Sequence, residues 1–223
     1  TLKALLANSG DDLGNPGPDC MYGFGTVRAR QAIDALRDDS VIENEVADGE
    51  IAEHLVIVQP GDSELRITLA WDDAPASPLP VSALVNDLDL IVTDPAGDRW
   101  FPWTIDPADP GAPATRSGED HRNNMEQVSV TDPMTGAWRV QIRGTAVPVG
   151  PQEYALSATP SPIACSSTGI VGFGGSAFQP ETIVPITVVD CDINTDDTIT
   201  DTIAVDLWSD DNPSGFQTVL TET

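Results

Sequence analysis

"VNDLDLIVTDPAGDRW", residues 85–100, alternates with period two. Leu88, Leu90 and Val92 fall on one side of the chain. Asp87, Asp89 and Ile91 fall on the other, as in a β-strand with one buried face. Asp94-Pro95-Ala96-Gly97 stops the run as a turn would. The apolar side accounts for a strand. It does not account for two carboxylates about 6–7 Å apart on the opposite side, where like charges repel. Spare cations are scarce, because 36 acidic residues face ten basic ones, for a net charge of −26.

Similar runs lie on both sides. "HLVIVQPGDSELRITLAWDD" (54–73) reads as two strands around Pro60-Gly61-Asp62. "NNMEQVSVTDPMTGAWRVQIRG" (123–144) reads as two more with a turn from Asp132 to Gly136, and "GPQEYALSAT" (150–159) as another. Short strands separated by Pro/Gly turns point to an antiparallel β-sandwich or jelly roll over residues 41–160. Residues 94–120, with five prolines and no alternation, read as a long loop. Before the sandwich, residues 1–40 read as two helices. Leu2, Leu5 and Leu6 share a face of the first. Val27, Ala32, Ile33 and Leu36 form a stripe on the second, with Thr26 as its cap. Two helices of this size need other protein to bury their apolar side. Residues 161–168 read as a linker, and 169–223 as part of a smaller β domain with strands in "ETIVPITVVD", "DTIAVDLWSD" and "FQTVLTET". The opening "TLKALL" and the closing "TVLTET" both read as cut from something longer.

The acidity disfavours nucleic acid and anionic membrane surfaces as partners. No apolar run reaches the roughly 18–20 residues needed to span a bilayer. Of three cysteines, Cys165 and Cys191 are near enough in sequence to pair, though spacing does not decide whether they do. Cys20 is expected to be free and half-buried. There are two histidines, His54 at an apparent strand start and His121 in the polar loop, each read as having a surface or strand-end role. There is no Gly-x-Ser-x-Gly. With no nucleophile, base and orienting group in view, no catalysis is expected of the chain alone.

The carboxylates admit a calcium reading. Calcium takes six to eight oxygens at roughly 2.3–2.6 Å. Asp87 and Asp89 would be its centre, with Asp73, Asn86, Asn124 and Glu126 as further donors. Pairing with Arg122 or plain solvation are the alternatives. A second oxygen-rich stretch, "DCDINTDDTITD" (190–201), spaces Asp190, Asp192, Asn194, Asp196 and Asp201 like a calcium loop. It has Thr195 where an EF-hand needs Gly and Asp201 where it needs Glu, so it reads first as an acidic hairpin loop, with a looser calcium site as the alternative. "DRWFPW" (98–103) offers Trp100 and Trp103 either as an exposed ligand-gripping patch or, with Phe101, as a cap on the sandwich.

Two blocks of the chain resemble a known family. "LKALLANSGDD…GPDCMYGFGTVRARQAIDAL" resembles the end of a subtilisin-like catalytic domain: a helix, a Gly-Pro-Asp loop, a Tyr-Gly-x-Gly turn and a final helix. "ITLAWDDAPA…ALVNDLDLIVTDPAG…RNNMEQVSV…GAWRVQIRGTAVPVGPQEYALSAT" is similar to the jelly roll that follows that domain in oxidatively stable alkaline subtilases, and distantly to the P-domain of proprotein convertases. The last segment is similar to an immunoglobulin-like repeat of secreted bacterial proteins. The resemblance implies a secreted serine endopeptidase acting on protein substrates, a catalytic domain preceding this chain with the whole triad in it, and calcium bound in the jelly-roll region. On that reading the chain is a non-catalytic fragment. Its sandwich stabilises the catalytic domain. The rival reading is an adhesion or carbohydrate-binding module of a surface protein.

Overall fold

Pro60-Gly61, Asp132–Gly136 and the Pro148–Pro151 stretch break the chain into strands that return on one another. The computed structural model describes residues 1–38, 40–78, 83–164, 170–173, 186–189, 202–208 and 214–221. They fall into two units, Thr1–Ala164 and Cys165–Thr223.

The first unit is built on nine strands: β1 Val41–Val46, β2 Ile51–Val58, β3 Glu64–Trp71, β4 Asp87–Thr93, β5 Arg99–Trp100, β6 Met125–Thr131, β7 Gly136–Ala146, β8 Gln152–Thr159 and β9 Pro162–Ala164. They form two antiparallel sheets, ordered β1-β8-β3-β6 and β5-β4-β7-β2-β9. Strands alternating between two facing sheets in this order make a jelly roll. The alternation read from sequence is what fills it. Leu65, Ile67, Leu69 and Trp71 of β3 and Leu156 of β8 meet Leu88, Leu90 and Val92 of β4 and Trp138, Val140 and Ile142 of β7 in one buried cluster.

Three strands of the first unit are not legible in the sequence. β1, "VIENEV", carries too many charges to look like a strand, and β5 is only two residues long. β9 lies inside the stretch read as a linker, where Pro162–Ala164 pair with the edge of β2. His54 is not at a strand start. β2 begins three residues earlier, so His54 shares the inward side with Val56 and Val58, is buried, and bonds through Nε2 to the Tyr154 hydroxyl at 2.9 Å. Burial holds its pKa down at about 4, so it is neutral at neutral pH.

The helices are α1 (Leu2–Asn8) and α2 (Ala29–Arg37). α1 lies on the outer face of the β1-β8-β3-β6 sheet, where Ala4 meets Ala70 and Ala155; of the expected leucine face, Leu5 is buried while Leu2 and Leu6 are exposed. The sheet supplies partners for the helix end, which otherwise leaves carbonyls unpaired. Gln127 donates to the Ala7 carbonyl at 3.2 Å, and Arg66 donates to the carbonyls of Asn8 and Gly10. Between the helices, Thr26 pairs with Asp11 in a short bridge, so it is not the cap of α2; that position falls to Arg28. On α2 only Ala32 of the expected stripe is buried; Ile33, Leu36 and the preceding Val27 are more than half exposed.

In the second unit β10 (Ile170–Phe173) pairs with β11 (Ile186–Val189), and β12 (Thr202–Leu207) with β13 (Phe216–Thr221), both antiparallel. Asp190, Asp192, Asn194, Asp196, Asp201, Cys165 and Cys191 lie outside the described residues. Cys20 is free, and exposed rather than half-buried.

Candidate metal centre

β4 is paired along one edge with β7. On its other edge only Val92 and Thr93 are paired, with β5. Asp87–Ile91 therefore present a free strand edge towards β6 across the mouth of the sandwich. On β6, Val128 and Val130 point into the core, and by alternation Glu126 does too. Its Oε2 accepts the Leu90 backbone N–H at 2.7 Å, spanning the gap between the sheets.

Asp87 and Asp89 lie on the other face of β4, as the alternation requires. A bulge sits beside them: Asp87 pairs with Ala146 but Leu88 with Gly144, leaving Thr145 as the extra residue. The Thr145 hydroxyl donates to Asp89 Oδ2. The loop before β6 folds over the pair and brings His121 to it. His121 Nδ1 is 2.8 Å from Asp87 Oδ2 and 3.4 Å from Asp89 Oδ1. The ligand atoms of Asp87, Asp89 and His121 all lie within 4.8 Å of one another. Glu119 lies 3.9 Å from His121 Nε2 and is paired with Arg143 at 3.3 Å.

This arrangement leaves needs unmet. Asp89 is 0% and Glu126 1% exposed. Asp87 Oδ1, Asp89 Oδ1 and Glu126 Oε1 are buried without a hydrogen-bond partner. A buried charge without a partner is costly, and the groups respond by holding protons. Burial lifts Asp89 to about 6 against the opposing help of Thr145 and His121, and raises Asp87 as well. Burial, with Asp89, Asp120 and Asp87 nearby, raises Glu126 well above the usual carboxylate range. Burial pushes His121 down, but the Asp89 and Asp87 carboxylates outweigh it and leave its pKa above the ordinary value. A cation between Asp87 and Asp89 would remove their repulsion and give their free oxygens a partner.

Of the six residues read as one calcium set, the structure brings Asp87 and Asp89 together, with His121 as the third member of the group; Glu126 lies on the inward side of β6 and bonds the Leu90 N–H. Asp73 is spent on the backbone N–H groups of Val85 and Asn86, both at 2.8 Å, and shapes the entry to β4. Asn86 is fully buried. Its amide donates to the Val149 carbonyl and Gln152 Oε1, and its Oδ1 accepts from Val149 N–H. Asn124 donates to the Trp71 carbonyl at 3.0 Å. Asn86→Ala is expected to cost about 2–4 kcal/mol, because Gln152 and both backbone groups of Val149 lose partners. Chemical denaturation checks this, with the Asp87–Asp89–His121 geometry unchanged.

His121 was missed because it is 32 residues from Asp89 in a stretch without periodicity. The available signal was "EDH" at 119–121, a histidine beside two carboxylates just before a strand. Arg122 is no substitute partner here; its backbone N–H caps Asp120 at 3.0 Å. The tryptophans are occupied. Trp100 Nε1 donates to Asp94, Trp103 Nε1 to Ser129, and the Arg116 guanidinium lies over both rings at 5.0 and 4.3 Å. Trp100 packs on the core beside Trp138, with ring centroids 5.8 Å apart.

No helix among the described residues is long and apolar enough to cross a membrane. No family model matches the chain, and no curated protein matches it. Among solved structures, the crystal structure of Bacillus licheniformis lipase BlEst2 in propeptide form aligns at 11% identity and a TM-score of 0.32. The alignment covers 82% of this chain, which spans 40% of that protein's chain.

Proposed function

We propose that the chain is the non-catalytic C-terminal part of a secreted subtilisin-like serine endopeptidase, and that its jelly roll stabilises the enzyme by binding calcium. The observation that supports the calcium reading is the meeting of Asp87, Asp89 and His121, with ligand atoms within 4.8 Å of one another and with Asp87 Oδ1 and Asp89 Oδ1 buried without a hydrogen-bond partner. Hard oxygen donors of this charge suit calcium. Asp87 and Asp89 would bind the ion directly. Glu126 would close the site from within the sandwich, directly or through a water, and other positions would be filled by water.

Two features support the accessory role. The sheet holds the end of α1 through Arg66 and Gln127, so whatever α1 belongs to is fixed to the sandwich. The large exposed apolar side chains of the first unit concentrate in the helical arm, where Met21 is 79% exposed and Leu2, Val27, Ile33 and Leu36 are more than half exposed. Such a patch marks a covered surface, and a preceding catalytic domain is the proposed cover. Trp100 and Trp103, the aromatic pair that suggested a carbohydrate-binding role, are already engaged within the protein.

Calorimetric titration of calcium into the stripped full chain tests the ion. One site is expected, weakened at least about tenfold in Asp87→Asn/Asp89→Asn. Equal affinity in wild type and variant would remove the site. The parentage is tested separately: the longer protein carrying this chain should react with a fluorophosphonate serine-hydrolase probe, and the chain alone should not.

A further inference from the structure

We propose that the Asp87–Asp89–His121 face also accepts zinc, with His121 Nδ1 as a third protein ligand, in competition with calcium. The inference rests on the reading above that an ion sits between the β4 carboxylates; it adds a nitrogen ligand and with it a second class of ion. Zinc bound tetrahedrally by nitrogen and oxygen at 2.0–2.2 Å sets its ligands about 3.3–3.5 Å apart. The observed 3.4 Å from His121 Nδ1 to Asp89 Oδ1 is already that spacing, and the 2.8 Å to Asp87 Oδ2 needs only a small opening. Asp89 is completely buried, and its Oδ1, facing His121, has no hydrogen-bond partner.

The rest of the imidazole is also placed for a metal. Metal-bound histidines commonly turn the second ring nitrogen towards a carboxylate, which fixes the ring and raises its basicity. His121 Nε2 faces Glu119 at 3.9 Å, and Arg143 pins Glu119 at 3.3 Å from the strand opposite β4. The His121 side chain is 52% exposed, so the face opens to solvent and leaves a fourth position for water. The only other histidine, His54, is buried and bonded to Tyr154 through Nε2, so a nitrogen-ligand signal from this chain reports His121.

The test is calorimetric titration of zinc into the stripped full chain, alone and with calcium present, with cobalt(II) as the spectroscopic stand-in. One zinc equivalent is expected, competitive with calcium, with visible cobalt absorption of a four- or five-coordinate site. His121→Ala and His121→Gln should each weaken zinc at least about tenfold and change calcium affinity less than about threefold. Glu119→Gln should weaken zinc about tenfold. If calcium binds but zinc does not, or zinc binds equally well to wild type and both His121 variants, the inference is wrong and the calcium reading stands. If neither ion binds, the calcium reading falls as well.

Discussion

At pH 7.5, saturating calcium will raise the melting temperature of the chain by about 5–10 °C, and at pH 5 the gain will nearly vanish. An ion that binds only the folded form at a hundred times its Kd adds about 2.7 kcal/mol. A domain of this size moves roughly 2–4 °C per kcal/mol. The pH dependence follows from the site's own groups. Asp89 is lifted to about 6 in the fold from an ordinary 3.8. A carboxyl raised in this way costs the fold nothing while it is protonated in both states. It costs progressively more as pH rises through 6, in total on the order of 3 kcal/mol. Asp87 and Glu126 are raised too and act in the same direction. His121 is raised above its ordinary 6.5, so the stability it contributes is present below that value and is lost as pH climbs past it.

All four groups therefore make the ion-free fold weaker at pH 7.5 than at pH 5. Calcium reverses this, because it binds the deprotonated carboxylates and must displace their protons when pH is low. The remaining charge adds to the trend, since a net −26 at neutral pH repels itself and is partly discharged in acid. Melting curves at pH 5.0, 6.0 and 7.5, with calcium and with chelator, check the result. A calcium gain as large at pH 5 as at pH 7.5 would show that the ion binds elsewhere. A control with matched ionic strength separates the site from general screening, which acts equally on Asp87→Asn/Asp89→Asn.

The sandwich was legible because its physics is local. Alternation in "LRITLAW" and "DLDLIVT" separates the two sides of each strand and puts Asp87 and Asp89 together opposite Leu88 and Leu90, but the expected single buried face is not what the structure has: Asp89 and Ile91 on β4, and Thr68 and Ala70 on β3, are covered as well. What strand period cannot supply is the partner across space. His121 reaches the pair only because the loop folds back, and Thr145 only because a bulge lets an extra residue turn towards Asp89. Polar residues beside the motif misled for a related reason. Asp73 and Asn86 have ligand chemistry, but the turn into β4 leaves backbone groups that need those same oxygens and amides. On the helical arm the leucine face divides, with Leu5 buried and Leu2 and Leu6 exposed, and what the leucines could not show is that Ala4, Ala70 and Ala155 let α1 lie close on the sheet.

Glu126→Gln should reverse the order of stability with and without calcium. In the stripped chain at pH 7.5, the variant is expected to be more stable than wild type by about 1–3 kcal/mol. Glutamine keeps an oxygen for the Leu90 N–H and cannot ionise at a fully buried position where the carboxyl is pushed well above its usual range. In saturating calcium the order is expected to invert if Glu126 is the ligand proposed from the opposite sheet, because the variant lacks that carboxylate. Glu126→Leu separates this from a simple burial effect. It also removes the charge but strands the Leu90 N–H at the free edge of β4, so it should be less stable than Glu126→Gln in both conditions. Denaturant melts of the three proteins, with and without calcium, make the comparison. Wild type more stable than Glu126→Gln in chelator would mean that Glu126 is satisfied within the protein, and that its partnerless oxygen is not held ready for a cation.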